Sequence, residues 1–217
     1  MCGRYVIKNP VTKTSKLVKS AIQVDDIENY NAHPYKKLPV IKKYKNGNTL
    51  ENLKWGLIPN WVKDKDFKAL INARLETIDE KVSFKKLIKN NRCVAVADGF
   101  YEWKREEKEK IPNYFVRKDA NTIYFAGIYE EDQFCLITEE AKDNIKEVHH
   151  RQPVILNQTD VNRYLNLELQ GVFKSDIPAN STAIVAESNK SGELFRIGDR
   201  LPGNAILDAV FADHIHE

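Results

Sequence analysis

Long hydrophobic runs are missing from this sequence. No stretch reaches the roughly 18 consecutive apolar residues that a membrane-spanning helix requires, and the amino terminus has no apolar run of the signal-peptide kind. A cytosolic protein is therefore expected. Cysteine is also scarce: Cys2, Cys93 and Cys135 are odd in number and far apart, with no CxxC pair and no ligand-type spacing to a histidine. That pattern argues against a disulfide framework and against a zinc site, so no metal and no other cofactor is expected. A strong charge of either sign is absent as well. The 34 basic and 31 acidic residues leave +3, a balance that by itself says nothing about nucleic acid, because an even scatter gives the same sum.

What is present is an ordinary globular composition. With 42% apolar and 30% charged residues in 217, the chain has enough large side chains for one sizeable core, and we expect a single domain over 1–217. β-Branched and aromatic residues dominate Leu50 to Ile58, Cys93 to Ala97, Tyr114 to Val116, Thr122 to Ile128, Phe134 to Ile137, Val154 to Leu156 and Thr182 to Val185, which predicts strands. Helix signals are fewer. Thr77 to Glu80 spells a capping box before Phe84, Leu87 and Ile88, Thr138 is placed to cap a helix reaching His149, and Thr159 to open one through Leu165. Strands interrupted by a few helices, without βαβ alternation, predict an α+β fold with a mostly antiparallel, barrel-like sheet. Lys104 to Lys110 reads as a solvated hairpin loop and Tyr44 to Asn48 as a turn.

Candidate chemistry begins at Met1-Cys2-Gly3-Arg4-Tyr5. Removal of Met1 leaves Cys2 with an α-amine of pKa near 8 beside its thiol, and the two together close a five-membered thiazolidine on one aldehyde carbon. The plainer alternative is a small residue at a terminus. Glu102, between Tyr101 and Trp103, is either a carboxylate desolvated among aromatics, with the raised pKa a general acid/base needs, or a residue on the wet face of an edge strand. His149, His150 and Arg151 precede Pro153 at a junction, where a histidine either shuttles protons or caps a helix end. Asn72 offers an orienting amide and Arg74 a phosphate-binding guanidinium. Trp55, Trp61 and Trp103 fill the core or stack on unpaired bases.

These pieces together resemble the SOS-response-associated peptidase (SRAP) family, which includes proteins that shield abasic sites in single-stranded DNA. The matching segments are MCGRY at 1–5, YN at 30–31 with Pro34, WGLIPNW at 55–61, INAR at 71–74 with Glu76, DGFYEW at 98–103, and HxRxP from His149 to Pro153. They fall in order over about the first 155 residues. The resemblance implies that Cys2 is the nucleophile that forms a thiazolidine with the ring-opened deoxyribose. It implies further that Asn72 positions cysteine and sugar, that Glu102 is the acid/base, and that His149 assists ring opening. Arg74 and Arg151 are implied to grip phosphate, with Arg4 nearby, and Asn31, Trp55, Trp61 and Trp103 to contact DNA. Its peptidase name implies self-removal of Met1, and a weak lyase activity is consistent with an imine that fails to close.

The chain departs from the family pattern at His33, His150 and Gln152, and its segment from Ala186 to Glu217 matches less well. Of the tandem histidines, His149 has the matching spacing to Arg151 and Pro153. The expected partner is single-stranded DNA carrying an abasic site, and the expected state is a monomer. Two other readings are a cysteine peptidase acting on other peptides and a module that binds damaged DNA without chemistry.

Overall fold

In a computed structural model of the chain, the residues described are 2–45, 47–106, 109–173, 182–187 and 193–196, with side chains through 166. The first part holds strand β1 (Tyr5–Ile7), helix α1 (Pro10–Thr14), then β2 (Ser20–Ile22), β3 (Asn29–Ala32), β4 (Lys37–Tyr44), β5 (Gly47–Trp55) and β6 (Asn72–Arg74). Helix α2 (Leu87–Asn90) leads into β7 (Arg92–Ala97), β8 (Gly99–Glu106), β9 (Glu109–Phe115), β10 (Ile123–Glu130) and β11 (Gln133–Glu140). After α3 (Asp143–Lys146) come β12 (Arg151–Pro153), β13 (Ile155–Leu156) and α4 (Gln158–Asn166). The chain divides into two compact units, residues 1–161 and 162–217. Among the described residues of the second are three antiparallel strands, β14 (Leu167–Phe173), β15 (Thr182–Glu187) and β16 (Glu193–Arg196).

Unit 1 is built from two sheets. A nine-stranded sheet runs β12-β11-β10-β7-β4-β5-β2, with β13 beside β10 and β6 beside β11, and a further β11–β5 pairing closes five of its strands into a ring. The second sheet is β3-β1-β8-β9. Most pairings are antiparallel, the exceptions being β2 and β11 along β5 and β6 along β11, so the expected α+β, barrel-like architecture is the observed one. Ring closure explains why β7 and β10 are buried along nearly their whole length. Strands covered on both faces read as continuous apolar runs rather than as alternation.

The core joins both sheets. Tyr5, Trp55, Phe100, Phe125 and Phe134 are all fully or almost fully buried. Tyr5 packs against Trp55 at 5.2 Å and edge-on to Phe125 at 5.7 Å, and Trp55 stacks on Phe134 at 6.2 Å. Gly127 on β10 is required by close approach, since a Cβ there would lie 2.9 Å from the Cys135 carbonyl oxygen and 3.2 Å from Cys93 Sγ. Any side chain at this position overpacks the wall of the ring.

Several local expectations are corrected. Thr138 caps no helix: it lies in β11, fully buried, with its hydroxyl bonded to the Ala73 carbonyl at 3.3 Å. The helix expected to start there is only Asp143–Lys146. Thr77 ends a short 3-10 helix, Leu75–Thr77, and turns follow it instead of a helix start, the next helix being confined to Leu87–Asn90 without a side-chain cap. β4 is a strand in a segment whose lysines mask the strand pattern, and the hairpin expected around Lys104 to Lys110 is present with a shorter loop, since β8 runs to Glu106 and β9 begins at Glu109. The helix through Leu165 begins at Gln158, one residue before Thr159. No helix among the described residues is long and apolar enough to cross a membrane.

Candidate active site

Three strands from distant parts of the sequence meet at Cys2. β1 pairs with β8 in the register Tyr5↔Phe100, and the Tyr101 N–H donates to the Arg4 carbonyl at 2.9 Å. Strand alternation then puts Glu102 on the same face as Phe100. That face is inward: Phe100 stacks on Phe115 at 5.2 Å and meets Phe125 edge-on at 5.7 Å. β6, parallel to β11 in the register Leu136↔Asn72, brings Asn72 to the same place, and its Nδ2 donates to the Cys2 carbonyl at 3.0 Å. Asn72 Oδ1 is buried with no hydrogen-bond partner among the described residues.

The electrostatics follow from burial. Cys2 is fully buried, and desolvation, with the negative charge of Glu102 as the second cause, pushes its thiol up to about 12. Glu102 is 2% exposed, and its carboxyl is raised above the usual carboxylate range by the same loss of water, opposed by the positive amino terminus. His149 follows α3 and is half-buried. Its Nδ1 lies 3.0 Å from the Arg151 backbone nitrogen and 3.2 Å from the Arg151 carbonyl oxygen, so it is tied to the Arg151 backbone. Burial lowers its pKa. His150 stacks on it at 4.4 Å and is lowered mainly by the charge of His149.

Glu102 and His149 line one cleft of about 330 Å³ together with Trp103, Arg105 and Lys110. A second cleft, of about 290 Å³, is lined by Arg74, Glu76, Glu140, Lys146, His150 and Arg151. Arg105 and Lys110 are opposite each other in the β8–β9 hairpin. Neither was singled out from the sequence, because their charged stretch was read as a loop; strand alternation continued past Trp103 would have found Arg105.

The remaining candidates separate into exposed and buried. Arg4 and Arg74 are exposed, with the Arg4 guanidinium 5.7 Å from the centre of the Trp103 ring. Trp61 is 59% exposed, and Asn31 is exposed on β3. Trp55 is corrected: it is fully buried, and its Nε1 donates to the Ile71 carbonyl at 2.8 Å, so it is a core residue with no face left for a base. Arg151 lines the second cleft with Arg74 and His150. Its guanidinium forks onto the half-exposed Glu76 at 2.7 and 2.9 Å and also donates to the Thr138 carbonyl, so an ion pair engages the group expected to hold phosphate. Among the described residues no group of three or more His, Cys, Asp or Glu side chains is arranged to hold a metal ion.

A family model described as SOS response associated peptidase (SRAP) matches residues 1–187. The chain belongs to the SRAP family. Among similar SRAP relatives, the chain is 34% identical over 180 residues to the abasic site processing protein YoqW of Bacillus subtilis (strain 168), covering 76% of this chain and 80% of that protein. It is 38% identical over 184 residues to YoaM of the same organism, covering 76% and 79%, and 29% identical over 194 residues to YedK of Escherichia coli (strain K12), covering 83% and 86%. Both carry the name abasic site processing protein. A crystal structure of a Bacteroides thetaiotaomicron protein superposes with a TM-score of 0.67 at 26% identity, over 76% of this chain and 81% of that one.

Proposed function

We propose that this protein binds single-stranded DNA at abasic sites and couples to them through Cys2 once Met1 has been removed. The observation that carries the reading is the meeting of Cys2 with Asn72 and Glu102: the amide of one holds the Cys2 carbonyl, and the charge of the other acts on the Cys2 thiol. The names of the SRAP relatives support the substrate.

The chemistry starts with a closed sugar. Opening the hemiacetal needs one group to take the anomeric hydroxyl proton and another to protonate the ring oxygen. His149, whose pKa burial lowers, and Glu102, whose carboxyl burial raises, suit these roles. The freed α-amine of Cys2 then adds to the C1′ aldehyde, and water leaves to give an imine. The Cys2 thiol adds to the same carbon while its proton passes to nitrogen, so aldehyde plus aminothiol become thiazolidine plus water. Asn72 Oδ1 is an acceptor suited to a sugar hydroxyl. If closure fails, proton loss from the carbon beside the imine leads to β-elimination, a lyase side reaction.

Removal of Met1, by the chain itself or by another enzyme, prepares this chemistry. A cysteine peptidase acting on other peptides fits less well, because it needs a thiolate and burial of Cys2 favours the neutral thiol. Exposed Arg4, Arg74 and Trp61, with Trp103, suit the backbone and unpaired bases of a single strand. We assign the protein a cytosolic, monomeric state in this role. Denaturing gel electrophoresis after mixing with an abasic single-stranded oligonucleotide tests the reading: the parent gives a slow, heat-resistant band and Cys2→Ala does not. A band of equal strength from Cys2→Ala sinks the assignment.

A further inference from the structure

The outward face of the sheet β3-β1-β8-β9 carries a row of aromatic rings and cations that the chemistry at Cys2 does not use. Its first members are Arg4 and Trp103, at 5.7 Å, beside the cleft of Glu102 and His149. Tyr101 follows, 6.4 Å from Trp103 and 4.8 Å from Tyr114, its direct cross-strand partner on β9. The Tyr114 ring lies across Gly99, where a Cβ would come within 2.5 Å of the ring atoms. Glycine is therefore what lets the ring lie flat along the strand. Beyond it the Lys8 ammonium sits 5.0 Å from the centre of the Tyr30 ring and interacts electrostatically with Tyr114 as well.

Tyr114 is 45% exposed and Tyr30 56%. A folded protein gains little by holding rings this open to water, so their exposure asks for an occupant. Of the acids beside the row, Asp98 accepts the Lys8 backbone N–H at 2.7 Å and pairs with Lys13, while Glu28 accepts the Tyr30 hydroxyl and, still charged, acts on Lys8 at the far end only. The face therefore presents cations interleaved with flat rings. That is the chemistry of a platform for unpaired bases on an anionic backbone.

We infer that single-stranded DNA flanking the reacting nucleotide runs outward over Trp103, Tyr101 and Tyr114 toward Lys8 and Tyr30. From Trp103 to Gly99 the strand covers about 13 Å, and Lys8 with Tyr30 extends the path by a further step. The track reads no sequence, since every base has a face to stack. It rests on the proposed affinity for single strands, and it adds a length requirement: occupants too short to leave the cleft do not reach it.

Fluorescence anisotropy with undamaged single strands of about 4 to 16 nucleotides tests the track. Parent affinity rises with length. In the Tyr30→Ser/Tyr114→Ser double variant the rise stops early, so that the longest strand binds on the order of tenfold more weakly while the shortest is unaffected. In Lys8→Gln the slope of log affinity against log salt falls by about 0.7. Circular dichroism melting checks the fold; if the double variant does not fold, Tyr30→Ser alone and Lys8→Gln carry the same comparison. Identical length dependence in parent and folded variants overturns the track. Coupling to an abasic site in a short oligonucleotide is read separately: its loss in the parent counts against the covalent reading and leaves the length series to judge the face.

Discussion

Asn72 Nδ2 donates to the Cys2 carbonyl at 3.0 Å across seventy residues of sequence. The bond fixes the backbone of the residue whose nitrogen and sulfur must both reach one carbon, and near-attack geometry of this kind is sensitive to displacements of about 1 Å. Asn72→Ala is expected to slow single-turnover coupling by about 100-fold and to lower stability by about 1 kcal/mol. Binding of undamaged single strands changes little. Coupling at the parental rate would remove Asn72 from the site.

The tryptophans make a second comparison. Trp55 is fully buried with its indole N–H bonded, whereas Trp61 is 59% exposed. Trp55→Ala is expected to cost about 3 to 5 kcal/mol in denaturant unfolding, and Trp61→Ala less than about 0.5 kcal/mol. Only the second variant is suitable for measuring a loss of DNA affinity; a stable Trp55→Ala would contradict the core assignment.

Glu76 and Arg151 give stability a pH dependence. The Arg151 guanidinium holds the Glu76 carboxyl below its ordinary value. A depressed carboxylate contributes stability that is fully present above the unfolded carboxylate pKa, about 4.3, and that is lost as pH falls through the lower folded value. Glu76 is half-exposed and Arg151 is not, so Glu76→Gln is expected to cost about 1 to 2 kcal/mol at pH 7, with the gap to the parent closing in acid. Parallel melting curves from pH 7 to pH 3 would show that the pair contributes nothing.

His149 and His150 titrate as neighbours. Their rings stack at 4.4 Å, and the charge of His149 is the first cause of the lowered His150 pKa. Removing a like charge favours the protonated form, so His149→Ala moves the His150 titration upward in NMR. His149→Ala also slows coupling, and His150→Ala does so less. A stationary His150 titration refutes the interaction, and the reverse ranking of rates reassigns the acting histidine.

That Cys2, Asn72 and Glu102 meet was legible only from the combined motifs, since each residue alone had an equally plain structural reading. The strands around them were legible where β-branched and aromatic residues cluster, as in β7 and β10. Thr138 was not, because a threonine before acidic residues offers the same cap in a helix as it offers a side chain in a strand, and only the pairing of β11 with β12 and β6 decides between them. The ion pair of Arg151 was hidden for a similar reason. Its partner Glu76 is 75 residues away, and no pattern near Arg151 tells a guanidinium facing phosphate from one locked onto a carboxylate. Trp55 and Trp61 flank one motif with opposite fates, since Trp55 ends β5 inside the ring while Trp61 stands in the segment beyond it.

Closure of the ring through Gln133↔Lys54 and Phe134↔Trp55 sets an order on biosynthesis. Pairings so far apart in the chain form late, and a ribosome must deliver β11 before the wall around Cys2 is complete. Until then Cys2, fully buried in the finished fold, is not yet enclosed. If an outside enzyme removes Met1 during translation, ribosome-bound chains ending before Gln133 already begin with cysteine, whereas a leading methionine on those chains together with its loss after release would indicate that the folded protein trims itself.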